Sequence, residues 1–561
     1  MHFDWHKHYP QEFPKTIDLS HYKNIPQAIS DACHKFSERP ALTCMGTTIT
    51  YRQMDRLSSQ FASYLQRRLG VAKGDRVAVM LPNIMQFPVV FLAIQKIGAI
   101  SVNTNPQYTP REMLHQFKDS GAKTIVIIDL FAHKLEDILE ETEIKDVIIT
   151  SIADQMPPLK ALVTGMAMRF KGLIPKHGIK YTSFNCALRL GRKEPYQKPE
   201  ISHDDTCLLQ YTGGTTGFAK GAELTHANLL ANTEQIRIMC SDSLIEGQER
   251  VLTALPLYHI FSLTVNLLTF LRTGQQLLLV PKPIPIENTV EIFKKYDVTV
   301  VSAVNTLYNA LNNSKKFQEL APRTVKFAIA GGMALQQAVA KKWQDITGTR
   351  IVEGFGLTEA SPVTHGTPIS VVAPAGSIGI PLSSTIAKIV DEQGQEVPIG
   401  DIGELLIKGP QVMKGYWQQH DATKQTIKDG WLFTGDIAKV DSDGFFYIVD
   451  RKKDMIIVSG FNVYPNEVED VIVRHPKVLE CAVVGIPDRQ CGEAVKAFIV
   501  KKDHSLEIAE IKSFCRENLT GYKCPRYFEF MESLPKSNVG KILRKDLRVA
   551  NKPAERIAQT P

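Results

Sequence analysis

Tyr211-Thr212-Gly213-Gly214-Thr215-Thr216-Gly217-Phe218-Ala219-Lys220-Gly221 follows an apolar run, 207–210, that reads as a buried strand. The three glycines and three threonines of 212–217 offer backbone N–H groups and hydroxyls without bulky side chains, the composition of a phosphate cradle. It is not the standard phosphate loop, because Lys220 is preceded by Ala219 and followed by Gly221 rather than by Ser or Thr. On composition alone, an ordinary flexible Gly/Thr turn is the alternative. The surrounding sequence decides the fold class. β-Branched, apolar runs at 76–81, 123–128, 276–280, 298–304 and 325–330 read as buried strands, with helical patterns such as 287–295 and 336–345 among them. Strand–helix–strand alternation predicts an α/β protein with mostly parallel sheets covered by helices.

Downstream the texture changes. Between 376 and 450 short strands alternate with Gly and Asp turns, as in Val440-Asp441-Ser442-Asp443-Gly444-Phe445-Phe446. This predicts a small strand-rich, β-barrel-like subdomain packed on the parallel layers. Asp450-Arg451-Lys452-Lys453-Asp454 is a charged junction. Beyond it come a hairpin-like stretch to Pro465, then a helix opening with Glu467, Glu469 and Asp470, where the helix dipole favours acids. Two strands, a helix and a further strand complete the pattern. The expected division is a large domain over 1–450 and a small α+β domain over 451–561.

The chain has 561 residues, 43% hydrophobic and 22% charged, which excludes a disordered or collagenous class. Basic residues exceed acidic ones by seven (66 against 59), too small an excess at this size to indicate nucleic acid. Residues 451–561 hold 20 basic and 15 acidic side chains, so five of the seven surplus charges lie at this end. Such a surface either faces a polyanion, such as a nucleoside triphosphate, or is merely solvated. Nine cysteines without a C-x-x-C pair predict reduced thiols in a cytosolic protein, not disulfides or a zinc site. The first residues, Met-His-Phe-Asp-Trp-His-Lys, do not read as a secretory signal. Residues 251–271 are uncharged and long enough to span a bilayer, but Pro256, His259 and Asn266 favour a strand, a Pro turn and a buried helix.

Further motifs follow the Gly/Thr loop in a fixed order. Gly354-Phe355-Gly356-Leu357-Thr358-Glu359 lacks the third glycine of a dinucleotide fingerprint. After it come Trp431-Leu432-Phe433-Thr434-Gly435-Asp436, the 450–454 junction with Ser459-Gly460, and Pro535-Lys536-Ser537-Asn538-Val539-Gly540-Lys541. Taken in register, these five resemble the signatures of the adenylate-forming superfamily of acyl-CoA synthetases, luciferases and peptide-synthetase adenylation domains. Within it, 429–465, Leu257-Tyr258-His259-Ile260-Phe261 and Leu519-Thr520-Gly521-Tyr522-Lys523 resemble bacterial long-chain fatty acid–CoA ligases, and the resemblance spans nearly the whole chain.

The resemblance implies a two-step ligation with ATP and coenzyme A as co-substrates and Mg²⁺ as cofactor. A long-chain fatty carboxylate attacks the α-phosphorus, giving acyl-AMP and pyrophosphate, and the coenzyme A thiol then displaces AMP. A carboxylate with a pKa of about 4–5 is already ionised at neutral pH, so the first step needs no general base. The obstacle is an anion approaching a polyanion, to be met by charge neutralisation and in-line positioning. The family pattern accordingly implies that Thr212, Gly213, Gly214, Thr215, Thr216 and Gly217, flanked by Tyr211 and Lys220, wrap the pyrophosphate. Glu359 would hold magnesium, Thr358 touch the α-phosphate, and Asp436 and Arg451 bind the ribose. Gly331 and Gly332 would lie along adenine and the acyl chain, with His259 near the fatty carboxylate. Lys541 would bridge carboxylate and α-phosphate in the first step, and Ser459-Gly460 would line the pantetheine path in the second. Both of these elements lie on the small domain, so a rotation about the junction, with Lys453 as hinge, is implied.

Taken singly, Glu359 also reads as a helix-surface acid, Asp436 as a turn residue, Lys541 as a loop lysine and His259 as a core histidine. Acyl-chain lining is expected from Tyr211, Phe261, Val304, Asn305 and Tyr308, with Gly332 leaving room. Competing functions are an acyl-AMP ligase serving a carrier protein and a non-catalytic nucleotide or fatty-acid binder. The resemblance also allows a homodimer and a peripheral contact with the inner face of the cytoplasmic membrane. For the latter, residues 157–176 stand out. Leu159, Leu162, Val163, Met166, Phe170 and Leu173 form one helical stripe, among four cations and no acid. The stretch reads either as a core-packing helix or as an interfacial helix on anionic lipid.

Overall fold

The computed structural model describes residues 5–212, 219–488, 491–537 and 540–549. The expected strands assemble into two large sheets. The first has the order Gly415–Tyr416, Lys220–Thr225, Thr206–Thr212, Ile100–Asn103, Arg76–Met80, Thr124–Ile128, Asp146–Thr150, Thr182–Ser183. From Thr206–Thr212 onward every neighbour is parallel, while Lys220–Thr225 doubles back antiparallel on Thr206–Thr212. The second sheet has the order Ile351–Glu353, Phe327–Ala330, Val300–Ala303, Arg250–Thr253, Gln276–Leu279, Pro40–Cys44, Thr47–Thr50, and only its last pair is antiparallel. The inner strands, such as Arg76–Met80, Ile100–Asn103 and Thr124–Ile128, are buried along nearly their whole length because both of their faces are covered. The helix Gln86–Lys96 is buried on every side, within the largest core. It tolerates Lys96 because the ammonium donates to Asp55 Oδ1 at 2.7 Å and to the hydroxyls of Ser58 and Ser59 at 2.8 Å.

The segment 251–271 is a strand end, a Pro turn and a buried helix, as its polar residues require. Its helix is a π-helix over Ser262–Thr269, which periodicity did not reveal. Thr269 Oγ1 donates to the carbonyl of Thr264 five residues back, at 2.9 Å, matching that wider turn. Among the described residues, no helix is long and apolar enough to cross a membrane.

The strand-rich region forms an antiparallel sheet of Ile386–Val390, Gly403–Lys408, Trp431–Val440 and Ile427–Lys428, with Phe446–Arg451 also on Trp431–Val440. A bridge between Gly379 and Phe446 brings it alongside a three-stranded sheet (Phe355–Gly356, Val363–Gly366, Ile380–Pro381). The C-terminal sheet starts at Ile456–Val458 and carries its own core around Val463, Val483, Ala497 and Ile511. All nine cysteines are free thiols, seven of them buried. The helix Pro158–Phe170 buries none of its residues, so of its two expected readings the core-packing one fails.

Candidate active site

Parallel strands end on a common edge, and the loops leaving that edge converge on one cavity of about 1490 Å³. Tyr211, Thr212, Lys220, His259, Gly331, Gly332, Thr358, Glu359, Asp436, Arg451 and Lys541 all line it. Gly213, Gly214, Thr215, Thr216 and Gly217 lie outside the described residues. Ser459 and Gly460 do not line the cavity; they form an exposed turn between Ile456–Val458 and Phe461–Val463, both with left-handed φ (50° and 84°).

Thr212 closes its strand opposite Lys220, and the Lys220 ammonium stands 4.9 Å from the centre of the Tyr416 ring. Tyr211 is fixed by its hydroxyl, which donates to Asp119 Oδ2 at 2.6 Å; burial and this bond push the phenol up. Glu359 sits in a short 3₁₀ turn, Thr358–Ala360. Tyr416 Oη donates to its Oε1 at 2.8 Å, aiming the carboxylate from a distant edge strand. The turn is braced from behind: Thr264 donates to the Ser361 carbonyl at 2.7 Å, and Asn232 bonds both the N–H and the C=O of Val363. Gly356 is required here, since a Cβ would lie 2.1 Å from the Pro362 carbonyl oxygen.

Asp436 is 2% exposed and faces Arg451 across a strand pair. Arg451 Nε meets its Oδ1 at 3.1 Å, while Oδ2 is buried without a partner. Gly435 adopts φ 71° at the irregularity that turns Asp436 inward, a conformation side chains rarely adopt. An acceptor buried and unpaired costs free energy until something donates to it, so this oxygen is poised for a ligand hydroxyl. Burial raises the Asp436 carboxyl, with Arg451 and Lys541 opposing.

Lys541 comes from the C-terminal part. Its loop is closed by Ser537, whose N–H donates to the Lys541 carbonyl at 2.7 Å and whose hydroxyl accepts the Lys541 N–H at 3.1 Å. Thr306 Oγ1 docks the loop by donating to Gly540 O at 3.3 Å. Burial, then Arg451, push the ammonium down to about 8, while Asp436 holds it up. Burial and the Lys541 cation push His259 down to about 4, so it is a neutral imidazole at physiological pH. Nothing in the sequence pattern alone distinguished this histidine from a core one.

An apolar side of the same cavity is lined by Ile236, Met239 and Cys240 of the helix His226–Cys240, together with Val265, Val352 and Leu382. The Phe261 ring also lines the cavity, 3.2 Å from where a Cβ on Gly331 would be. Of the expected acyl lining, Tyr211, Phe261, Val304, Asn305 and Gly332 line the cavity. Tyr308 does not: it is wholly buried, donates to Ile329 O at 2.8 Å and packs edge-on against Trp343. Tyr416, Thr306 and Met239 had no sequence signal, because each reaches the cavity through tertiary contacts.

A family model described as AMP-binding enzyme matches residues 29–417, and one described as AMP-binding enzyme C-terminal domain matches 467–541. The chain belongs to the AMP-binding enzyme family. It is 50% identical over 546 residues to a long-chain-fatty-acid–CoA ligase of Escherichia coli, covering 97% of each chain. It is likewise 44% identical over 562 residues to a protein of that name from Haemophilus influenzae, covering 99% of each. Among solved structures, the anthranilate CoA ligase AuaEII in complex with anthranoyl-AMP superposes with a TM-score of 0.85 at 28% identity, over 95% of this chain and 98% of that one.

Proposed function

We propose that the chain is an AMP-forming long-chain fatty acid–CoA ligase. It activates a fatty acid with ATP and transfers the acyl group to coenzyme A. The observation that carries this reading is the single cavity in which Lys541, Asp436 with its free acceptor and the apolar side meet. Asp436 and Arg451 hold the ribose, Asp436 Oδ2 accepting a hydroxyl in place of the missing donor. Lys541, close to Asp436 and Arg451, neutralises charge between the carboxylate and the α-phosphate. His259, neutral, adds no charge that would hold the carboxylate away from the phosphorus. Positioning and charge compensation are thus what the residues supply.

Glu359 fits a magnesium ion, which takes one or two protein carboxylates plus substrate phosphate and, when bound, draws charge from phosphate oxygens. The support is its carboxylate, lining the cavity and aimed by Tyr416. For the second step, the small domain from 451 onward rotates and brings Ser459-Gly460 toward the acyl carbonyl. In support, Ile457 and Phe461, beside that turn, are about half exposed, a surface a second orientation would cover. We place the enzyme in the cytoplasm, in peripheral contact with the inner face of the membrane where its substrate dissolves.

The test is thioester formation from ATP, coenzyme A and fatty acids from C6 to C18, alongside pyrophosphate release without coenzyme A. Thioester requiring coenzyme A is expected. Acyl-AMP that accumulates whether or not coenzyme A is present would favour a carrier-dependent ligase, and no pyrophosphate at all a mere binder.

Two further outcomes follow from the geometry. A lysine that must be cationic but titrates near 8 loses its charge as pH rises. The kcat/KM for ATP in pyrophosphate release should therefore fall about tenfold per unit above pH 8, and Lys541→Arg should flatten that limb. On the apolar side, a Cβ on Gly366 would touch Met239 Cε at 3.4 Å and Leu382 at 3.8 Å without clash. Gly366→Leu should fill that space and lower kcat/KM for C16 and C18 acids by about 10- to 100-fold relative to C8. An unchanged chain-length profile would place the tunnel elsewhere.

A further inference from the structure

The helix Pro158–Phe170 inverts the usual arrangement of a surface helix. Its apolar stripe faces solvent: Phe170 is 95% exposed, Leu159 76%, and Leu162, Val163, Met166 and Leu173 are each more than half exposed. Its polar side faces the protein, where Thr164 Oγ1 contacts Met156 Sδ at 3.6 Å and the Lys160 ammonium donates to the Met45 carbonyl. Met45, large and exposed, lies beside the helix at Lys160 and extends the apolar surface. A contiguous patch of this kind marks a surface that something covers.

Charge identifies what covers it. Residues 157–176 contain Lys160, Arg169, Lys171 and Lys176 and no acid. Arg169, Lys171 and Lys176 are exposed; Arg169 also faces Asp129, and the other two border the end of the stripe. Large apolar side chains ringed by cations match the interface of an anionic bilayer, with the apolar groups among acyl chains and the cations among phosphates. At thirteen residues the helix is about 20 Å long, and so lies in the interface rather than across it.

Its place in the fold gives this contact a consequence. The helix follows the strand Asp146–Thr150, whose neighbours run parallel as far as Thr206–Thr212. It therefore leaves the same C-terminal edge of the sheet as Thr212 and the 103–108 segment, which line the cavity. Met45 follows Pro40–Cys44, parallel to the strands that deliver His259 and Gly331 from the second sheet.

We propose that the exposed face of Pro158–Phe170, with Met45, Leu173 and the Arg169/Lys171/Lys176 cluster, docks the enzyme on an anionic phospholipid surface, with the cavity-bearing edge on the same side. This rests on the ligase reading for its purpose, since a long-chain acid is drawn from the bilayer, but not for its test. The experiment is flotation of the full chain with vesicles of phosphatidylglycerol and phosphatidylcholine, against phosphatidylcholine alone, at low and high salt. Wild type should float with anionic vesicles and be released by salt. Changing Arg169, Lys171 and Lys176 together to Gln should lower partitioning on the order of 100-fold at low salt. Phe170→Ser with Leu162→Ser should lower it on both vesicle types. Thioester formation from dissolved octanoate should be unchanged in both variants, while that from palmitate held in anionic vesicles falls. Wild type that does not float, or partitioning unaltered in both variants, would overturn the proposal. So would a lipid-free dimer that Phe170→Ser converts to monomer with vesicle binding intact, since the patch would then be a protein contact. Wild type that floats but makes no thioester from any acid would sink the ligase reading and leave the docking surface standing.

Discussion

Lys541→Ala is expected to reduce acyl-adenylate formation by about 10²- to 10³-fold, the usual loss when one preorganised charge stabiliser is removed. The side chain is held for that task. Its loop is pinned by Ser537 at one end and by Thr306 on Gly540, and its ammonium enters a cavity where Arg451 and burial already hold it down to about 8. An ammonium so placed is destabilised until negative charge arrives, so in the role proposed for it Lys541 would interact most strongly with the charge that accumulates as carboxylate meets α-phosphate. That is differential stabilisation of the transition state. On the proposed reading, displacement of AMP by the coenzyme A thiol takes place after the small domain has turned Lys541 away. Thioester formation from synthetic acyl-AMP and coenzyme A should therefore stay within several-fold of wild type. Lys541 lies in the cavity, not in a core, so the unfolding temperature should hardly move. Equal collapse of both half-reactions would show that Lys541 maintains the site and has no step of its own.

What the sequence disclosed depended on whether the signal was local. Buried parallel strands were legible because residues covered on both faces are apolar without alternation, as in Arg76–Met80 and Thr124–Ile128. Asp436 and Glu359 were legible through motifs whose glycines have local causes: the left-handed turn at Gly435 and the close approach at Gly356. Tyr416 was not, because it belongs to a two-residue strand that reaches Glu359 by pairing with Lys220–Thr225 from nearly two hundred residues away. The acyl side was misjudged at Tyr308, since a tyrosine after an apolar strand fits a cavity wall or a core equally well, and Trp343 supplies the core partner. The helix Pro158–Phe170 shows the same limit from the other direction. Three-and-four spacing located the stripe, but periodicity does not say whether a stripe points in or out.

With Lys453 as the proposed hinge, Lys453→Pro should uncouple the half-reactions there. Arg451 is bonded to Asp436 of the strand-rich region, and Lys452 is tied to the same region by its N–H on Gly435 O at 3.0 Å and its ammonium on Glu404 Oε2 at 2.9 Å. Asp454 is held from the C-terminal side by Arg548 at 2.9 Å and Arg544 at 3.5 Å. Lys453, exposed, lies between these two sets of contacts. Asp450, wholly buried, accepts the N–H groups of Arg451 at 2.7 Å and Asn466 at 2.8 Å, bridging the strand Phe446–Arg451 and the helix Pro465–Ile472. The four residues 451–454 form a turn closed by Asp454 N–H on Arg451 O at 2.9 Å, with no positive φ, which is the type I class. Proline at 453 fixes φ near −65° and crowds Lys452 out of the helical region, so the turn itself loses on the order of 1–3 kcal/mol. Adenylation should accordingly drop several-fold, with a small fall in unfolding temperature. Thioester formation, which needs the backbone to change at this point, should fall at least about 10²-fold further, because a misplaced small domain leaves the thiol out of reach of the carbonyl. The measurement is the ratio of thioester to acyl-AMP in a single turnover of pre-formed enzyme–acyl-AMP complex. A ratio equal to wild type, with both steps slowed in parallel, would mean that 452–453 is only a linker and that the second step proceeds from the orientation in which Lys541 already faces Asp436.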